Sequence, residues 1–126
     1  MKPAAPTLNI DIPAQVEPYV RALGIDGAIA FLLAFGGGPT YIARRPEQNS
    51  AVRDVIGEDG IRALATQIQG RIARVPLAKP WIARVRFAQD VAIVQIAREL
   101  HVSDETVRKW LVDERAERLR QLSLPF

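Results

Sequence analysis

The side chains in this sequence that could do chemistry are few in kind. There are no cysteines and a single histidine, His101. That removes disulfides, thiolate metal sites and cysteine nucleophiles together. Any histidine chemistry would rest on one residue with no second ligand type beside it in sequence, so His101 is expected to be a turn residue, perched near a phosphate at most. The 14 acidic residues include no pair spaced as a glycosidase acid and base would be. Gly36-Gly37-Gly38 is not followed by the Lys-Ser/Thr of a phosphate loop and is expected to be a turn. The expectation is a protein that is not an enzyme, with no cofactor, no metal and no small-molecule substrate.

What the sequence does offer is hydrogen bonding and charge in a tight pattern over residues 93–112, IVQIARELHVSDETVRKWLV. Ile96, Ala97 and Leu100 form the inner stripe of one helix. His101 and Val102 make a turn, and Ser103 caps a second helix in which Thr106, Val107, Trp110 and Leu111 continue the apolar pattern. Two helices crossing steeply need a small residue where they touch, which Ala97 provides, with Val102 plugging the turn. The outer face of the second helix then carries Asp104, Glu105, Arg108 and Lys109, the positions a helix-turn-helix presents to the DNA major groove. Arg108 suits bidentate pairing with guanine and Glu105 suits the cytosine amino group. Lys109 and Arg98 suit phosphates, and the amides at the Ser103 cap suit one more. A plain helical hairpin would share the amphipathic pattern but would not require the capped, basic outer face.

Charge is distributed in the same sense. The net charge is +3. Residues 1–70 carry 6 basic and 7 acidic side chains, and residues 71–126 carry 11 and 7. The positive potential therefore lies in the half that would meet phosphate. In residues 113–122 the arginines Arg115, Arg118 and Arg120 are expected on a solvated helix face, with phosphate tracking the lesser alternative.

The elements that must position this pattern come before it. Residues 1–13 hold prolines and little periodicity and are expected to be a flexible arm. A short helix is expected over 14–23, starting or kinked at Pro18 and ended by Gly24. Asp26 is the expected cap of a helix over 27–35 that is apolar nearly all round. Such a helix must be covered on most faces, and a second copy of the chain is one natural cover, through Ile29, Phe31, Leu32, Leu33 and Phe35. After the glycines comes a β-prone segment, 40–42. A short helix is expected over 51–56, capped by Asn49 or Ser50, then Gly57 and an amphipathic helix to Ile68. Residues 71–76 alternate like a strand, and Pro80 suits the first turn of another helix, running to about Asp90. Tyr41-Ile42-Ala43-Arg44 resembles Arg71-Ile72-Ala73-Arg74. A match that short also arises by chance, and pairing within a chain or across a dimer stays open.

The expected architecture is thus mainly α with two short β-strands: an arm (1–13), a helical dimerisation domain (14–78) and a C-terminal helix-turn-helix domain (79–126). No secretory pattern follows Met1-Lys2-Pro3. The longest apolar run, 28–35, is shorter than the roughly 20 residues of a membrane span. A soluble cytoplasmic protein with no membrane partner is expected.

In order and type these segments resemble the Mor/C-like transcription activators of Mu-like bacteriophages. The resemblance covers about residues 16–112. It rests on the apolar helix into Phe35-Gly36-Gly37, then Thr40-Tyr41-Ile42 with Arg44, Val55-Ile56-Gly57-Glu58 and its helix, Arg71-Ile72 with Val75-Pro76, and the pattern over 93–112. It implies a homodimeric, DNA-binding activator that recruits RNA polymerase, in the nucleoid or a phage-infected cell. It also implies a DNA-positioning strand at Gly37, Tyr41, Ile42 and Arg44. The sequence departs from the family at Ala43, where proline is frequent, and at His101, where glycine is. The competing expectation is a helical adaptor that binds a protein partner and no DNA.

Overall fold

The structure is a computed structural model that describes residues 10–42, 50–68, 70–72 and 74–122. Most of the expected N-terminal arm, together with Arg44 and Asn49, lies outside the described residues. The chain is mainly α-helical. Its elements are α1 (Glu17–Phe35), β1 (Thr40–Ile42), α2 (Ser50–Gln67), β2 (Gly70–Ile72), α3 (Lys79–Ala88), α4 (Ile93–Leu100), α5 (Asp104–Trp110) and α6 (Val112–Leu122). They fall into two compact units, one over 12–78 and one over 79–122 with residues 10–11.

In the first unit α1 packs on α2. Pro18 sits in the first turn of α1, where its missing N–H is not needed. Both helices are broken by a glycine. Gly24 has φ 74°, ψ 175° and Gly57 has φ 75°, ψ 173°, a conformation essentially confined to glycine. The helix resumes directly after Gly24, so Asp26 lies inside its first turn rather than capping it.

α1 has the length and composition to cross a membrane, longer than its apolar run alone suggests. Its break at Gly24 and its packing on α2 make it the core helix of this unit. Ala28, Ile29, Phe31 and Leu32 are buried with Ile61, Leu64 and Ala65 of α2 in the same core. The Phe31 ring stacks on Tyr19 at 5.4 Å and meets Phe35 at 5.0 Å. The chain thus covers one face of its own apolar helix. Ile29, Phe31 and Leu32, expected at a dimer interface, are core residues of a single chain. Leu33 remains 40% exposed and Phe35 partly so.

Gly36 ends α1 at a close approach. A Cβ there would stand 2.4 Å from the Leu32 carbonyl oxygen. From this turn Gly37 N–H donates to Val75 O at 2.7 Å and Val75 N–H to Gly38 O at 2.8 Å. β1 and β2 then pair antiparallel, Thr40 with Ile72, Tyr41 with Arg71 and Ile42 with Gly70. The pairing lies within one chain.

In the second unit α3, α4 and α5 pack around Trp81, Ile82, Val85, Ile96, Leu100, Val107 and Leu111, all buried. Two ion pairs tie the helices outside that core. Arg86 meets Glu99 at 2.8 Å, and Arg84 meets Glu114 at 3.0 Å.

Candidate nucleic-acid interface

The turn between α4 and α5 is built by local backbone chemistry. His101 closes α4 in the left-handed conformation, φ 56°, ψ 46°, a position that glycine fills at least cost. Val102 N–H then donates back to Ala97 O at 3.0 Å. Ser103 is extended, φ −73°, ψ 154°, and its Oγ accepts from Thr106 N–H at 3.1 Å while lying 2.9 Å from Thr106 Oγ1. One otherwise unpaired helix amide is thereby satisfied, which stabilises such a start by about 1 kcal/mol.

Packing then fixes which side of α5 faces out. Val107 and Leu111 are fully buried, and Ala97 of α4 is buried opposite them. Leu111, more than Trp110, carries the inward face, because Trp110 is only half-buried. Ser103, Asp104, Glu105, Arg108 and Lys109 are exposed, Thr106 is half-buried, and Arg98 is exposed on α4.

Arg108 is held. Its guanidinium donates to Asp104 Oδ2 at 2.7 Å, one turn earlier on the same helix. That bond, reinforced by the arginine charge, keeps the Asp104 carboxyl below the ordinary aspartate range. Asp104 thus orients the arginine, through an i, i+4 pairing that the spacing allows but that was not among the expectations from sequence.

The other expected site residues divide. Ile42 is 2% exposed and belongs to the core, so it offers no surface to DNA. Gly37 donates to Val75 O, and Tyr41 stands opposite Arg71 in the ribbon. Arg118 is only partly on the expected solvated face of α6, its side chain 39% exposed. Its guanidinium lies 3.9 Å from the Phe87 ring centroid and donates to the Phe87 carbonyl oxygen at 2.9 Å. No signal in sequence pairs two residues 31 positions apart. Among the described residues no cluster of His, Cys, Asp or Glu could hold a metal ion.

No protein-family model, curated protein or solved structure matches the chain.

Proposed function

We propose that this protein is a sequence-specific DNA-binding transcription regulator that reads the major groove with α5. The observation that carries the proposal is the outer face of that helix. Glu105, Arg108 and Lys109 are exposed on a helix capped by Ser103 and anchored on its other face by Val107 and Leu111. Arg108 supplies the bidentate donor for guanine, Glu105 an acceptor for cytosine, and Lys109 with Arg98 the charge for phosphate. The order of segments that resembles the Mor/C-like activators supports the same reading. By that resemblance the protein would act at a promoter and recruit RNA polymerase. The ground for a dimer through residues 27–35 is weakened, since Ile29, Phe31 and Leu32 are covered within one chain.

The test is selection of bound duplexes from a random DNA pool, followed by titration of the selected site over a range of salt. A preferred site whose affinity falls steeply with salt is expected. Absence of any DNA binding at low salt would sink the proposal and leave the adaptor reading. An Arg108→Ala variant that kept its site preference would remove that residue's assignment.

A further inference from the structure

Two observations on α6 point the same way. The first is how the helix is held. No residue of α6 is buried, and what ties it to α3 is polar. Glu114 meets Arg84 at 3.0 Å, and Arg118 lies on the Phe87 ring and donates to the Phe87 carbonyl oxygen. Glu114, Arg118 and Gln121 share one helix face at i, i+4 and i+7, and with Arg84 and Phe87 they line the groove against α3. Val112, Ala116 and Leu119 follow the same spacing on the opposite face, and Leu122 extends it. Val112 is 62% exposed, Leu119 65% and Leu122 77%, and Ala116 is exposed as well. An amphipathic helix ordinarily turns its apolar stripe to the core; α6 is docked polar side inward.

The second observation is the order of charge along that stripe. The first turn of α6 carries Asp113 and Glu114, and the last carries Arg120. Asp113 and Arg120 lie two turns apart on the same edge of the stripe. Reversing the direction of the helix exchanges its acidic and basic ends, so α6 is complementary to an antiparallel copy of itself. With Ala116 on the two-fold axis, Val112 of one copy falls opposite Leu119 of the other. Asp113 then falls opposite Arg120, and both contacts occur twice, as an isologous interface requires. Ala116, small and central, lets the two helices approach closely.

We propose that the outer face of α6 is a self-association surface, on which two chains pair antiparallel through Val112, Ala116, Leu119 and Leu122. It is a different surface from the apolar helix over residues 27–35. The pairing is weak in the free protein. A stripe on one 11-residue helix falls short of the roughly 800 Å² per partner of a standard interface, and Arg115 brings like charge to its other edge. DNA supplies each chain with a second hold and raises the effective concentration of its partner. α6 begins directly after α5, and Leu111 between them is fully buried, so the pairing fixes the distance between two α5 helices. The target is then an inverted repeat of fixed spacing. The DNA part rests on the function proposed above; the pairing of α6 does not.

The full chain has no native cysteine, so introduced thiols report the contact directly. At high protein concentration Ala116→Cys should be joined into two-chain products by a short bismaleimide. Gln121→Cys, on the face turned to α3, should not. Asp113→Arg and Arg120→Glu should each weaken self-association about tenfold, and mixing the two variant chains should restore it, since each like-charge pair then becomes an opposite pair. Equal cross-linking at positions 116 and 121, no cross-linking at 116, or no recovery on mixing would overturn the proposal. Leu119→Asp should leave thermal unfolding unchanged, because the side chain is exposed, and should reduce the chains counted by native mass spectrometry on a selected duplex from two to one. Two chains retained on DNA by that variant would place the contact elsewhere and overturn the α6 surface while leaving the DNA reading intact. Cross-linking at 116 with no selected duplex at all would support the α6 pairing and overturn the DNA reading.

Discussion

On α5 the Arg108 guanidinium donates to the Asp104 carboxylate at 2.7 Å, and that bond holds the Asp104 carboxyl below its ordinary range. Both side chains are about half exposed, so the pair organises the surface of the helix and contributes little to the fold. An arginine braced by a carboxylate has fewer orientations to lose when its fork meets a planar acceptor pair.

Asp104→Asn is therefore expected to have two opposite effects. Binding to random DNA tightens, because a negative charge leaves the interface, while the preference for the selected site over random DNA falls. Competition binding at fixed salt measures both. A preference that is unchanged would show that Asp104 does not position Arg108. The lowered pKa gives the sign of the pH dependence. The carboxylate stays paired above the ordinary aspartate value of about 3.9 and loses its partner only as pH falls through the depressed folded value.

The turn ahead of α5 makes a second, stability-level prediction. Ser103→Ala should cost about 1 kcal/mol in denaturant unfolding, and Ser103→Asp should restore most of it. His101→Gly should stabilise, by about 1 kcal/mol, because the left-handed conformation at φ 56° no longer opposes a Cβ. A destabilised His101→Gly chain would mean that the imidazole makes a contact worth more than that strain.

Arg118 offers a way to tell a structural cation from a phosphate contact. Its stacking on Phe87 and its bond to the Phe87 carbonyl predict that Arg118→Met lowers stability by about 1 kcal/mol. The salt dependence of DNA binding should stay as it was. A phosphate contact would instead reduce the slope of log affinity against log salt by nearly one unit, with stability unaltered.

The buried Tyr19 sets an alkaline limit. Burial pushes its hydroxyl above the ordinary tyrosine value. The folded state therefore holds its proton where the unfolded chain has already lost it. That contribution is complete below about pH 10, the unfolded tyrosine value, and is lost as pH rises through the folded value. Unfolding monitored between neutral and strongly alkaline pH should show the fall, and Tyr19→Phe should flatten it. A wild-type chain as stable well above pH 10 as below it would contradict the burial.

Much of the candidate site was legible because it is local. Ser103 caps through a residue three positions on, His101 turns the chain with its own φ and ψ, and Val107 and Leu111 share a face by helical periodicity alone. Gly24 and Gly57 likewise announce breaks. Which face of α5 points outward follows from the same spacing. Asp104 and Arg108 are also neighbours by that spacing, one turn apart, although their alliance against other partners is settled by the surrounding surface.

What only the tertiary structure decided are the pairings between distant segments. Residues 27–35 demand cover by their composition, but composition is silent on whether a second chain or α2 of the same chain provides it. In the structure α2 supplies part of that cover, burying Phe31 with Leu64 and Ala65 while Leu33 stays 40% exposed. Two similar strand sequences leave pairing within and between chains open, because equivalent strands satisfy the same antiparallel register either way; the register centred on Tyr41 and Arg71 fixes it within one chain. Ile42 moves from expected surface to core, and Arg118, still part-exposed, gains the Phe87 ring as a partner. The physical reason is common to all of these. A cap or a turn depends on atoms a few bonds away along the backbone, whereas burial depends on which remote surface arrives, and that is a property of the folded chain.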